Sequence, residues 1–112
     1  MKVLGIPVGA ALLVIYDGTP EDPEGFFRYY VDHHLPLVWA FPGVRRVQVE
    51  RVVDGDVFMV ARFQFDTAAD ATAALQSPER WRARADMANF PPFAGTVRHQ
   101  IVEVLEVPDG QP

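Results

Sequence analysis

Hydrophobic and polar positions along the chain change period several times, and each change predicts an element. Ala11 to Tyr16 is an unbroken apolar run closed by Asp17-Gly18. Its length and β-branched content predict a strand, and its lack of alternation predicts cover on both faces. Asp22-Pro23 suits an N-cap and a first helical residue, and Glu21 and Glu24 suit the positive end of the helix dipole. Beyond them Phe27, Tyr30, Val31, His34 and Val38 recur at helical spacing, beside a second stripe of Phe26, Tyr29, His33 and Leu37. This predicts an amphipathic helix. Pro36 should kink or end it, because proline lacks an N–H and crowds the preceding turn.

Val44 to Val53 alternates, with Val47, Val49 and Arg51 on one side and Gln48, Glu50 and Val52 on the other, as in a strand with one wetter face. Asp54-Gly55-Asp56 is a hairpin signal, and Val57 to Phe65 is the next strand. Thr67 to Asp70 resembles a capping box with Asp in place of Glu and opens an Ala-rich helix through Leu75. Ser77-Pro78-Glu79 stops that helix and starts a short one carrying Trp81, Ala85 and Ala88 on one side. Asn89-Phe90-Pro91-Pro92 breaks it, and Val97 to Val107 is the last strand. Residues 1–9 are expected to be a loose arm and 108–112 a tail, around a core of about 11–107.

The order strand, helix, strand, strand, helix, strand is the βαββαβ pattern of ferredoxin-like α+β folds, a four-stranded antiparallel sheet with helices on one face. The other face would be bare, and the first and third strands make it apolar. A patch of that size usually marks an interface. A second copy about a twofold axis covers it most simply, so a homodimer through the sheet faces is expected.

Composition narrows the function. A chain of 112 residues suits one domain, 1–112. The net charge of −5 argues against nucleic-acid partners, which need clustered cations. Arg80, Arg82 and Arg84 are the densest basic cluster, but Glu79 and Asp86 dilute them, and a solvated helix face is the expectation. With no cysteine, disulfides, thiolate metal sites and a cysteine nucleophile are excluded. Met1 to Ala10 holds Gly5, Pro7 and Gly9 and makes no signal-peptide core. The following apolar run falls far short of the roughly 20 residues of a membrane span. A cytoplasmic protein without membrane partners is expected.

Candidate chemistry centres on His34, which shares its stripe with Phe27, Tyr30 and Val38 and should face the sheet. An imidazole in an apolar cleft starts near neutrality and shifts with burial and neighbours, as a general acid or base requires. The alternative is a structural histidine bonded to a backbone carbonyl near Pro36. Tyr30 lies four residues before His34 and would orient a substrate oxygen or donate a proton. Tyr16, Phe27, Val38, Asn89, Phe90 and Phe93 are the candidate substrate-binding residues. Trp39, Phe41 and Trp81 are mostly expected in the core, and Asp86 is expected to pair with an arginine. His33 and His34 are adjacent, whereas helical metal ligands sit three or four apart, so no metal is expected. No dinucleotide or phosphate fingerprint supports a cofactor.

Phe27-Arg28-Tyr29-Tyr30-Val31-Asp32-His33-His34-Leu35-Pro36-Leu37, followed by Phe41-Pro42-Gly43-Val44, resembles the signature of the EthD family, an aromatic-rich helix ending in H-x-P-L and a P-G exit. Ser77-Pro78-Glu79 and Ala85-Asp86-Met87-Ala88-Asn89-Phe90 resemble that family's S-P-E and A-D-x-A-N-F segments. The likeness spans about residues 11–107. It implies a ferredoxin-like protomer that pairs into a dimeric α+β barrel, like muconolactone methylisomerase-like enzymes, and it makes His34 the family's H-x-P histidine. It further implies cofactor-free acid/base chemistry on an aromatic, polyketide-like or lactone metabolite, of isomerase, dehydratase, cyclase or decarboxylase type. The family is often labelled oxidoreductase. The alternative is a non-catalytic binder of a hydrophobic metabolite, or an accessory protein of an oxygenase system. A further alternative is haem chemistry in the same architecture, with His34 or His99 as axial ligand.

Overall fold

A computed structural model describes residues 5–110. Strand β1 (Ile6–Pro20) leads to helix α1 (Pro23–Tyr29), a π-helical turn (Tyr30–His34) and α2 (Leu35–Val38). Strands β2 (Arg46–Arg51) and β3 (Met59–Phe65) follow, then helices α3 (Ala68–Leu75) and α4 (Pro78–Asp86), a 3₁₀ turn (Met87–Asn89) and β4 (Phe93–Glu106). The sheet runs β2-β3-β1-β4 with every neighbouring pair antiparallel. This is the ferredoxin-like arrangement that the hydrophobic pattern predicts, with the helices on one face.

Cross-strand partners share a face, which assigns the two sides of the sheet. Leu12 pairs with Phe63, Val14 with Ala61 and His99, and Tyr16 with Met59 and Val97. These residues look toward the helices, and Leu12, Tyr16, Met59, Ala61 and Phe63 are buried there. The opposite face carries Ala11, Leu13 and Ile15 of β1, Val60 of β3 and Val102 of β4. Two ion pairs lie on it within the chain: Arg98 meets Asp17 at 2.9 Å and Arg62 meets Glu50 at 3.2 Å.

Several boundaries differ from the sequence reading. Of the expected arm, residues 6–9 belong to β1, and residues 1–4 lie outside the described ones. Asp17-Gly18, read as a strand stop, continues the ladder to Pro20, opposite Phe93. Gly18 and Gly95 face each other across it, and a Cβ on either would run into the partner strand's backbone at Ala94 or Asp17. The pair of glycines thus permits the close approach that a turn signal hides. β4 accordingly begins four residues earlier than Val97, at Phe93. The hairpin signal at Asp54-Gly55-Asp56 sits in a wider loop, closed by Val52 N–H donating to the Phe58 carbonyl at 3.2 Å. The expected tail holds no helix or strand over 108–110, and 111–112 lie outside the described residues.

Among the described residues, three of the four α-helix starts are capped as their sequences require. Asp22 accepts from the Gly25 N–H at 3.1 Å, Thr67 from Asp70 at 3.1 Å and Ser77 from Arg80 at 3.2 Å. The regular helix ends at Tyr29, ahead of Pro36, and Pro36 itself falls in the first turn of α2. The irregularity lies just before it, where the Leu35 N–H donates to the Tyr30 carbonyl five residues back. The π turn decides which residues point inward. Phe26, Tyr30, His34 and Val38 are all buried, each four residues after the last. In a regular α-helix a four-residue step overshoots a full turn by about 40°, so such a series would drift off one face. The wider i→i+5 turn absorbs the drift.

Candidate active site

Four elements converge on His34. The π turn directs its ring toward the sheet, where it is 5% exposed. Phe90, just after the 3₁₀ turn, meets it edge-on with centroids 4.7 Å apart, and Tyr30 lies against it at 5.0 Å. The C-terminal end of α4 supplies Asp86, whose Oδ2 lies 3.0 Å from His34 Nδ1.

Asp86 is the hub of a small network. Its Oδ1 accepts from the Tyr29 hydroxyl at 2.7 Å and from the Asn89 amide at 3.2 Å. Burial alone would raise its carboxyl, but the bonds from Tyr29, His34 and Asn89 outweigh this and hold the group below the ordinary carboxylate value of 3.8. Asp86 is therefore ionised near neutrality and acts as acceptor. Nδ1 of His34 must then carry the hydrogen, and Nε2 is left with a free lone pair. Burial lowers the His34 pKa below 6.5 despite the opposing pull of Asp86. At neutral pH the imidazole is uncharged and basic at Nε2.

The ring borders a cavity of about 370 Å³ between the sheet and the helices, within the roughly 300–1,000 Å³ of small-molecule sites. Leu12, Val14, Tyr16 and Val97 form its floor on the sheet, and Tyr30, His34, Val38 and Phe41 one wall. Arg80, Ala83, Arg84 and Met87 form the wall from α4 and the turn after it, with His99 at the β4 side. Arg98 adds only backbone there, because its guanidinium turns to the opposite face and meets Asp17. The Tyr16 and Tyr30 rings meet edge-on at 5.4 Å. Their hydroxyls are close enough to influence each other but miss hydrogen-bond geometry, and the buried Tyr30 hydroxyl has no partner among the described residues. Burial raises both phenols well above their ordinary value of 10.0, so both stay protonated donors.

Of the eight residues singled out in the sequence, His34, Tyr30, Tyr16 and Val38 border the cavity. Phe90 backs the imidazole, and Phe93 supports Tyr16 and Phe26 from the core, at 6.0 and 5.4 Å. Asn89 holds Asp86 instead of lining the hollow. Phe27 is displaced: it packs on Phe58 at 4.8 Å beneath the Arg51 guanidinium at 4.5 Å, outside the cavity. The reason is the π turn, which puts Phe26 rather than Phe27 in register with His34. Asp86 pairs with His34, not with an arginine. Arg80 and Arg84 line the cavity, while Arg82 pairs with Glu79 at 3.6 Å as a surface residue would. Trp39 and Trp81 are exposed rather than core. The spacing Arg80, Ala83, Arg84, Met87 is itself a helical face and was the available signal for the α4 wall. Among the described residues no three His, Asp or Glu come together as a metal site would need, and no helix is long and apolar enough to cross a membrane.

Residues 19–91 match the family model of the EthD domain. The chain belongs to the EthD domain family. An uncharacterised 11.0 kDa protein encoded in the thcB-thcC intergenic region of Rhodococcus erythropolis is 37% identical over 82 residues, covering 69% of this chain and 79% of that protein. Among solved structures, an EthD family protein from Bacillus halodurans superposes with a TM-score of 0.73 at 23% identity, covering 86% of this EthD chain and 98% of the other. A dimeric protein of ferredoxin-like fold from Bacteroides fragilis gives 0.62 at 12% identity, covering 86% and 96%. A cofactor-independent oxygenase from Streptomyces nogalater, in a variant form, gives 0.65 at 15% identity, covering 89% and 96%. At these identities the structural likeness concerns the fold.

Proposed function

We propose that this EthD domain is a cofactor-independent enzyme that moves a proton on a small aromatic, polyketide-like or lactone metabolite, with His34 as general base. The observation that carries this reading is the bond between His34 Nδ1 and Asp86, which leaves Nε2 as the basic atom at an apolar cavity. Nε2 accepts a proton from an acidified C–H or O–H of the substrate. Asp86 stabilises the imidazolium that forms, as a carboxylate behind a catalytic histidine does. The unpartnered Tyr30 hydroxyl, with Tyr16 beside it, donates to the carbonyl oxygen on which negative charge develops. The imidazolium then returns the proton, to another carbon in an isomerisation or to a leaving hydroxyl in a dehydration. Deprotonation is also a sensible first step for oxygenation without a cofactor, the activity of the Streptomyces neighbour.

The working unit is a homodimer joined through the bare sheet face. The apolar strip of Leu13, Ile15, Val60 and Val102 supports this, and so does the pairing of Arg98 and Arg62 within the chain, which keeps those two guanidiniums neutralised when the face is covered.

The test is exchange of acidic C–H hydrogens in heavy water, read by NMR over a panel of aromatic ketones, β-keto compounds and lactones. Wild-type protein should accelerate exchange for at least one compound, and His34→Gln should abolish it. Undiminished exchange in a folded His34→Gln variant would remove His34 from the mechanism.

A further inference from the structure

We infer that the cavity takes a ligand carrying an anionic group, a carboxylate in the first instance, held by Arg80 and Arg84 on its α4 wall. The proposal deepens the reading above by naming a substrate class, and it relies on that reading only for which end of the ligand reacts.

Two observations single out these arginines in a chain of net charge −5. First, both border the cavity, one helical turn apart on α4. Second, Arg45, Arg51, Arg62, Arg82 and Arg98 each meet a carboxylate, whereas Arg28, Arg46, Arg80 and Arg84 meet none among the described residues, and of these four only Arg80 and Arg84 border the cavity. Arg80 has only the Trp81 ring near its guanidinium, at 5.4 Å. Two unneutralised guanidiniums on one apolar hollow repel each other. Burial and the charge of Arg84 lower the Arg80 pKa, which is the signature of a cation lacking its counterion. His99, on the same side of the sheet as Val14, adds a further donor at this margin.

Geometry places the anion relative to the chemistry. Asp86, behind His34, lies two residues past Arg84 and six past Arg80 on α4. At 1.5 Å per residue these are axial offsets of roughly 3 and 9 Å. The charged group thus meets the α4 wall beside and beyond the level of the dyad, where it anchors and orients the ligand. Planar guanidiniums suit a carboxylate particularly well, through paired N–H donors.

The experiment compares 2-naphthoate with its neutral analogue 2-naphthalenemethanol by calorimetric titration of the full-length protein. Shifts of the His34 ring signals report whether the probe occupies the cavity. Naphthoate should bind about tenfold tighter than the alcohol, as a charge-assisted pair at a partly exposed site gives. Arg80→Met/Arg84→Met should lose that preference. Arg82→Met, which removes an already paired surface arginine, should keep it, and the thermal melts show that each variant is folded. Equal or tighter binding of the alcohol to wild type, survival of the preference in the double variant, or no shift of His34 with either probe would overturn the inference. His34→Gln should still bind naphthoate, so a failure of the proton-transfer reading appears in exchange rates and a failure of this one in binding selectivity.

Discussion

His34 and Asp86 are 52 residues apart in the chain and 3.0 Å apart in space. One comes from the π turn after α1 and the other from the last turn of α4, so the dyad exists only when both helices are docked on the sheet. It combines an uncharged buried imidazole with an ionised carboxylate, and its properties depend on pH in a definite sense.

Because burial lowers the His34 pKa in the folded protein, the unfolded chain binds that proton more readily. The stability due to the neutral ring is complete above 6.5, the ordinary value, and is lost as pH falls through the lower, folded value. Asp86 acts in the same sense in a separate window below 3.8. The melting temperature should fall on acidification through both ranges. An NMR titration of the His34 ring should give a midpoint below 6.5, and the acid limb of kcat/KM should follow it. A midpoint above 6.5 would contradict the burial argument.

Asp86→Asn keeps the shape but replaces an acceptor that takes three hydrogen bonds. Tyr29 and Asn89 lose a charged partner, and His34 loses the group that fixes its tautomer. The variant should be less stable by about 1–3 kcal/mol, as for a lost charged hydrogen bond. Proton exchange should slow by about 100-fold or more, the direction expected when the tautomer is no longer held. Denaturant melts and exchange rates measure the two effects separately.

Tyr30→Phe should divide stability from activity. The hydroxyl it removes is buried without a partner, and such a group destabilises by roughly 1–3 kcal/mol. The variant should therefore melt at the same or a higher temperature while proton transfer slows. A clear loss of stability would show that the hydroxyl has a structural partner.

Leu13 lies mid-strand on the sheet face away from the helices. Leu13→Asp would bury a carboxylate in the proposed dimer interface, which is costly when the charge is unpaired. Light scattering should give a dimer for wild type and a monomer for the variant at micromolar concentration. A monomeric wild type would refute the sheet-to-sheet assembly.

Much of the molecule was legible in advance because strand and helix periods are local properties. Val47 and Val49 face inward as the alternation in β2 predicts, and Asp22, Thr67 and Ser77 cap as their side chains allow. His34 is legible from its stripe with Phe27, Tyr30 and Val38, and Tyr30 from lying four residues before it. Phe27 was misplaced because helical spacing assumes a regular turn, and the wider one leaves no mark in the pattern. Asp86 was missed as a partner because its role depends on tertiary docking: locally, Asp86 looks like one more charge on a polar helix. Arg80 and Arg84 were hidden by the same averaging over a short, charged segment.

The widened turn makes the length of 30–34 as much a part of the site as its letters. Wound at regular pitch throughout, the eight residues from Phe26 to His34 would overshoot two full turns by about 80°. Everything beyond the turn would rotate by that amount relative to Phe26. The imidazole would sweep off the hollow and out of reach of its carboxylate, with the chemical composition of the site unchanged. A homologue one residue shorter here needs no wide turn, because seven residues come within about 20° of two full turns and keep the ring on the hollow.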